Sequence, residues 1–235
     1  MPSSSSSSSS SPKTKRIVLR IGGSVLGSPP HAKLLKEYAS VISEARRSGH
    51  SVGVVVGGGP TARAYIDAAK ALGLPHKEQD QIAIQASRLN AKLVGMRLGV
   101  PTVYTTIQGM VAALERGGLA VMGGLRPGIT TDTVGAILGK AWRSDLLVKA
   151  SDQDGIFTAD PRTDGDAKLI RDLSYRELVK ILGVEGHRPG IHSIVDPVAV
   201  RYITKNRLKL VVTKGFDPSN VLRAIRGERV GTLVS

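Results

Sequence analysis

The chain has 235 residues, 41% of them hydrophobic, which suffices for one large domain or two small ones and excludes a fibrous or disordered protein. With 3% aromatic residues and no cysteine, its core must be built from Val, Ile, Leu and Ala, and disulfide frameworks and thiolate metal sites are excluded. A formal net charge of +14 calls for an anionic partner; dispersed Lys and Arg and scarce stacking aromatics favour a local nucleotide site over dedicated nucleic-acid binding.

An unbroken serine run, Ser3 to Ser11, opens the chain, and residues 1–14 are expected to form a disordered tail. No apolar run is long enough for a membrane span or a signal peptide, so a cytoplasmic location is expected. Ordered structure begins with a strand at Ile17 to Ile21, a glycine turn and a helix near Lys33 to Arg47. A strand at Val52 to Val56 then runs into Gly57, Gly58 and Gly59, followed by a helix from Thr61 to Leu72. The next long helical pattern, Gln79 to Leu98, places Ile82, Ala86, Leu89, Leu93 and Leu98 on one face. Short strands at Thr102 to Tyr104 and Ala120 to Met122 follow, then a loop to Ile129 and a helix from Thr131 to Trp142. A strand at Asp145 to Lys149 leads into a polar loop. Helices at Tyr175 to Leu182, Pro197 to Asn206 and Pro218 to Arg226 complete the pattern, with strands at Lys209 to Val212 and Gly231 to Val234. This alternation predicts an α/β fold, a three-layer α/β/α sandwich with a largely parallel central sheet.

In such a sheet, ligands gather where strand carboxyl ends meet helix N-termini. Three glycine-bearing loops are predicted there: Gly22-Gly23-Ser24, Gly57-Gly58-Gly59, and Gly123-Gly124 with Pro127-Gly128. Glycine lets backbone N–H groups approach phosphate oxygens closely, so three such loops together point to phosphate binding. Neither the G-x-x-x-x-G-K-[ST] nor the G-x-G-x-x-G fingerprint occurs. Arg20, at the end of the first strand and beside apolar Leu19 and Ile21, is placed to meet phosphate charge, with Arg63 one turn into the second helix. Asp132, Asp154 and Asp196 are candidates to orient cations or water, or else plain helix caps. His31, His50, His76, His187 and His192 show no metal-ligand spacing and read as surface residues.

The segments IGGSVL, VVVGGGPTAR, ASRLNAKL, VMGGLRPGITTD, DQDGIFTADPR and VDPVAV together resemble the archaeal-type UMP kinases of the amino acid kinase superfamily, in order and spacing from Arg16 onward. The resemblance implies one kinase domain over residues 15–235, its N-terminal part binding the phosphate acceptor and its C-terminal part ATP. It implies ATP-dependent conversion of UMP to UDP in pyrimidine nucleotide biosynthesis, Mg²⁺ arriving with ATP and no dedicated metal site, and a homohexamer. By motif, Gly23, Ser24, Gly59 and Arg63 would contact ATP phosphates. Ser151, Asp152, Phe157 and Asp160 would hold the rest of ATP. Gly58 and Asp80 would hold UMP, and Leu125, Arg126, Pro127, Gly128, Ile129, Thr130 and Thr131 would wrap its phosphate. Arg20, Asp132 and Asp154 would serve catalysis. Three positions depart from the pattern: Ser151-Asp152 stands where many relatives read Thr-Asn, Phe157 often corresponds to Tyr, and Arg20 sits where the wider superfamily often has lysine. Isopentenyl phosphate kinases usually carry H-G-x-G-S-F-G-H where this chain has GGGPTARAY. A kinase for another small phosphate or carboxylate, and a nucleotide sensor without catalysis, remain the alternatives on the same fold.

Overall fold

The computed structural model describes residues 14–182 and 194–235. The serine tract, His187 and His192 lie outside the described residues. Among the described residues, eight strands form one sheet in the order β3-β4-β2-β1-β5-β7-β8-β6. These are β1 (Arg16–Ile21), β2 (Ser51–Val56), β3 (Val103–Tyr104), β4 (Leu119–Met122), β5 (Leu146–Ser151), β6 (Asp172–Leu173), β7 (Leu210–Lys214) and β8 (Thr232–Val234). Every neighbouring pair is parallel except β7 with β8. The expected largely parallel three-layer sandwich is therefore what forms.

The helices are α1 (Gly23–Leu26), α2 (Ala32–Arg47), α3 (Gly59–Ala71), α4 (His76–Arg97), α5 (Ile107–Gly117), α6 (Thr131–Ala141), α7 (Tyr175–Leu182), α8 (Pro197–Lys205) and α9 (Ser219–Arg226). Strand alternation divides the core between the two faces of the sheet. Ile17, Leu19, Ile21, Val52, Val54, Val56, Val148 and Ala150 bury one face under α2, α4 and α9. Val18, Val55, Leu147, Leu210 and Val212 bury the other under α5, α6, α7 and α8. The same alternation turns Arg20 and Lys149 to the α6 side, where they meet the start of that helix.

Several features differ from the sequence reading, among them the short elements α1 and β6, which it did not contain. Helix α5 was not expected, because Gly109 in its first turn and Gly117 in its last weaken the helical signal. It forms because Thr106 caps it, accepting the Gly109 N–H at 3.1 Å, and because Met110, Ala113 and Leu114 share a buried face. Helix α4 starts at His76, ahead of the expected Gln79, so Asp80 sits in its second turn rather than its first. Its buried face is also not the predicted one. Leu89 and Leu93 point outward at 65% and 43% exposure, while Ser87 and Asn90 are buried. Both polar groups have partners: Ser87 Oγ accepts Gly124 N–H at 2.7 Å, and Asn90 Nδ2 donates to the carbonyls of Gly57 and Gly58 at 3.0 and 3.2 Å. His50 likewise departs from the surface reading; it is buried, and its Nδ1 accepts Lys15 N–H at 3.1 Å.

The first two glycine loops touch backbone to backbone. A Cβ on Gly23 would lie 2.1 Å from Gly59 N, and one on Gly59, whose φ is +58°, would lie 2.1 Å from Gly23 C. Gly59→Ala should therefore destabilise by about 1–3 kcal/mol beyond any cost of positive φ alone. Gly73→Ala supplies the comparison, having φ +72° with open space around its Cβ. Denaturant midpoints should rank wild type above Gly73→Ala above Gly59→Ala; equal midpoints for the two variants would show that the loops can move apart.

Candidate active site

The site is organised by one carboxylate and two cations. Arg20 and Lys149 are register partners on the adjacent parallel strands β1 and β5, so two positive side chains leave the sheet side by side. Asp132, in the first turn of α6, lies between them. Its Oδ1 sits 2.7 Å from Arg20 Nε in a close charge contact, and its Oδ2 accepts a hydrogen bond from Lys149 Nζ. A second arm of the guanidinium donates from Nη2 to Thr131 Oγ1 at 2.9 Å. The Arg20, Asp132 and Lys149 side chains are only 16%, 11% and 8% exposed, so screening by water is weak. Burial pushes the Asp132 carboxyl up, but Arg20 and Lys149 outweigh it and hold the group below its ordinary value. Burial, reinforced by Arg20, brings the Lys149 ammonium down to about 8 against the opposing pull of Asp132. Two cations against one anion leave a net positive charge facing the cleft.

Lys149 is the functional residue that the sequence reading missed. Its signal was present: a lysine inside the otherwise apolar strand LLVKAS, every residue of which is buried, needs a partner and a reason.

A cleft of about 310 Å³ opens above this triad. Of the residues expected to bind ATP, Gly23, Ser24, Gly59, Arg63, Ser151 and Asp152 line it, as do Arg20 and Asp132; Lys149, Gln153 and Arg162 join them. Gly59 starts α3 and lines the cleft, so the helix N-terminus supplies partial positive charge there, although Pro60 in its first turn contributes no N–H. Phe157 and Asp160 are not on the wall. Phe157 pairs with Leu169 in an isolated bridge, and the buried Asp160 carboxylate accepts from Arg162 N, Nε and Nη2 at 3.0 to 3.1 Å. Asp160 thereby aims the Arg162 side chain toward the cleft. Asp154 is exposed, and its carboxylate lies 3.6 Å from Lys214 Nζ rather than at the triad. Asp196 caps α8, accepting Val198 and Ala199 N–H at 2.9 Å, and also accepts from Thr133 Oγ1 at 3.1 Å and from Thr130 Oγ1.

A second cleft, of about 220 Å³, adjoins the first. Gly58, Asp80, Arg126, Ile129, Thr130 and Thr131 line it, together with Ser87 and Gly124. Leu125 and Pro127 lie instead on a neighbouring open groove with Arg126. Gly128 contributes its backbone, its N–H donating to Asp80 Oδ2 at 2.8 Å. That bond ties the 125–131 loop to α4, and Arg88 adds to it by donating to the carbonyls of Gly124 and Leu125 at 3.1 and 3.2 Å. The two clefts share their dividing wall: Gly59 and Asp132 face the first, while their chain neighbours Gly58 and Thr131 face the second.

Among the described residues, no three His, Cys, Asp or Glu side chains converge as a metal site. No helix among them is long and apolar enough to cross a membrane.

Comparison with known proteins agrees with this geometry. The amino acid kinase family model matches residues 15–214. The chain is 38% identical to a uridylate kinase from Hyperthermus butylicus over 222 residues, covering 93% of this chain and 97% of the relative. It is 39% identical to a uridylate kinase from Methanococcoides burtonii, with 92% and 93% coverage. Among solved structures, a uridylate kinase from Archaeoglobus fulgidus superposes with a TM-score of 0.86 at 33% identity, over 94% of this chain and 100% of that one. With a family model spanning most of its length, relatives of this identity and a sheet of this order, the chain belongs to the amino acid kinase family.

Proposed function

We propose that this protein transfers the γ-phosphoryl group of MgATP to UMP, giving UDP and ADP. The observation that carries the reading is the shared wall between the clefts. A triphosphate held by Gly23, Ser24, Gly59 and Arg63 and a monophosphate held by Arg126 and residues 129–131 meet where Arg20 contacts both Asp132 and Thr131. Phosphoryl transfer asks mainly for positioning and for charge neutralisation along the in-line path. Arg20 and Lys149 supply the charge, and Asp132 keeps both from drifting onto the ground-state phosphates. No base is needed, because the UMP phosphate is already ionised near neutral pH. The divalent ion travels with ATP as substrate; the buried Asp132 carboxylate is committed to two cations and does not form a resident metal site.

Asp80 is assigned to the ribose of UMP, through the oxygen that Gly128 leaves unused. Self-association, hexameric as the resemblance implies, is assigned to the outward face of α4, where Leu89, Leu93 and Met96 are exposed at 65%, 43% and 60%. On this reading the protein is cytoplasmic, as its nucleotide substrates are.

Arg20→Ala should lose about 10²-fold or more in kcat with little change in the KM for UMP, because its charge counts most in the transition state. Unchanged kcat in steady-state assays would reduce Arg20 to a structural ion pair.

The Lys149 ammonium titrates near 8 in the free protein, so kcat/KM for ATP should fall as pH rises through about 8. Lys149→Arg, with a guanidinium that stays charged, should remove that alkaline limb. Stability moves the other way. Between about 8 and the ordinary value of 10.5 the unfolded lysine keeps a proton that the folded one has lost, so Lys149 makes the fold more stable as pH rises through that window. A pH–rate profile with melting curves at the same pH values separates charge loss from unfolding; an alkaline limb unaltered in Lys149→Arg would assign it to another group.

Asp80→Ala should raise the KM for UMP by about tenfold or more, the loss expected for a charged hydrogen bond, while the KM for ATP barely moves. The wild type should prefer UMP to dUMP, and the variant should lose that preference. A variant with raised KM but the wild-type UMP to dUMP ratio would show that Asp80 acts only by holding Gly128.

A further inference from the structure

We propose that the chain carries a second ligand site, at the amino-terminal edge of the sheet, which takes a small organic anion with an apolar body. The cavity there measures about 370 Å³, larger than either substrate cleft at about 310 and 220 Å³. Its apolar part is formed by Leu146, Val211, Ala224, Val230 and Leu233. Concave sites that mix an apolar floor with a few polar groups are where small molecules bind.

The charges on its rim decide the class of ligand. Among the described residues, two of the three carboxylates on the wall are ion-paired, and the third, Asp145, accepts a backbone N–H. Asp145 Oδ2 accepts the Arg16 N–H at 2.7 Å, Asp172 pairs with Arg229 at 3.1 Å, and Glu228 pairs with Arg223 at 3.0 Å. The carbonyl end of α9, which would repel an anion, is also answered: Lys15 Nζ donates to Ile225 O, and Gly227 N–H donates to Ala224 O. Arg171 and Lys209 line the cavity, are exposed, and have no carboxylate within ion-pair distance among the described residues. The open binding capacity is therefore cationic above an apolar floor. The wall carries four cations, Lys15, Arg171, Lys209 and Arg229, against three carboxylates, so an anion is favoured over a cation, and a bare inorganic anion would leave the floor unused.

The cavity is distinct from the kinase site. Lys15 and Asp145 on its wall directly precede β1 and β5, whereas Arg20 and Lys149 stand toward the other ends of those strands. From Leu146 to Ser151 the strand rises roughly 17 Å.

The test uses phenyl phosphate as probe, on full-length protein saturated with UMP and a non-hydrolysable ATP analogue. Titration followed by amide NMR should show saturable shifts at Leu146, Val211 and Leu233, with Gly23 and Gly59 unmoved. Inorganic phosphate should bind about tenfold or more weakly, for want of the apolar contact. The double variant Arg171→Glu, Lys209→Glu should weaken phenyl phosphate at least about tenfold and leave kcat for UMP within about twofold. Shifts confined to the glycine loops, no saturation, equal binding of the two anions, or unchanged affinity in the double variant would each overturn the proposal. The mapping on Leu146, Val211 and Leu233 stands whether or not the nucleotide reading holds, so the two fail separately. Deleting residues 2–13 is the remaining arm: the proposal requires that affinity stay the same, since a gain would make that segment the occupant.

Discussion

Two cations in register on neighbouring strands cannot be buried together without an anion between them, and in this protein that anion is Asp132. Leaving either charge uncompensated at this depth would cost several kcal/mol, so the start of α6 is held against the ends of β1 and β5. The constraint explains why α6 begins where it does. Thr130 caps the helix, accepting Asp132 and Thr133 N–H at 3.1 and 3.3 Å, and its hydroxyl donates to Asp196 at the start of α8. One electrostatic requirement thus fixes two helix N-termini and, through them, the wall that divides the clefts.

A second constraint is steric. Gly23 and Gly59 meet at a separation that no Cβ permits, so two loops that each end a strand are pressed backbone against backbone at the floor of the cleft. Helix α4 closes this surface from behind with polar rather than apolar groups. Asn90 binds the carbonyls of the second glycine loop and Ser87 the N–H of the third, which keeps otherwise unsatisfied backbone atoms paired. The inner face of the helix therefore holds Ser87 and Asn90 for the loops beside small or short apolar residues such as Ala86, Ala91 and Val94, while Leu89 and Leu93 face outward.

This is also where sequence reading met its limit. Strands β1, β2, β4 and β5 were legible because runs such as Val54-Val55-Val56 leave no other fate for so many apolar side chains, and the glycine loops were legible by following them. The buried face of α4 was not, since it mixes Ile84, Ala86, Ala91 and Val94 with the hydrogen-bonding Ser87 and Asn90, and apolar periodicity does not register the polar members. Helix α5 hid behind its glycines. Of the candidate site, the glycines that line the clefts were legible as strand-end loops, and Arg20 through its apolar neighbours. Lys149 was passed over because its meaning lies in register: nothing along the chain says that it stands beside Arg20 until β1 and β5 are paired. Asp132 was seen as a candidate, but its task, holding two cations at once, is a tertiary fact.

The same geometry accounts for arginine at position 20, where the superfamily often has lysine. A lysine ammonium is a compact point charge on a flexible stem, able to meet Asp132 but not to span to Thr131 in fixed orientation. The guanidinium does both at once, with Nε against Asp132 and Nη2 donating to Thr131 Oγ1 at 2.9 Å. Those two residues face different clefts, so Arg20 ties the wall of one to the wall of the other. The sign of the charge is conserved by the exchange and its reach is extended. In-line transfer demands a rigid separation of donor and acceptor phosphates, and under the proposed function a planar fork anchored at two points would hold that separation better than a single mobile ammonium.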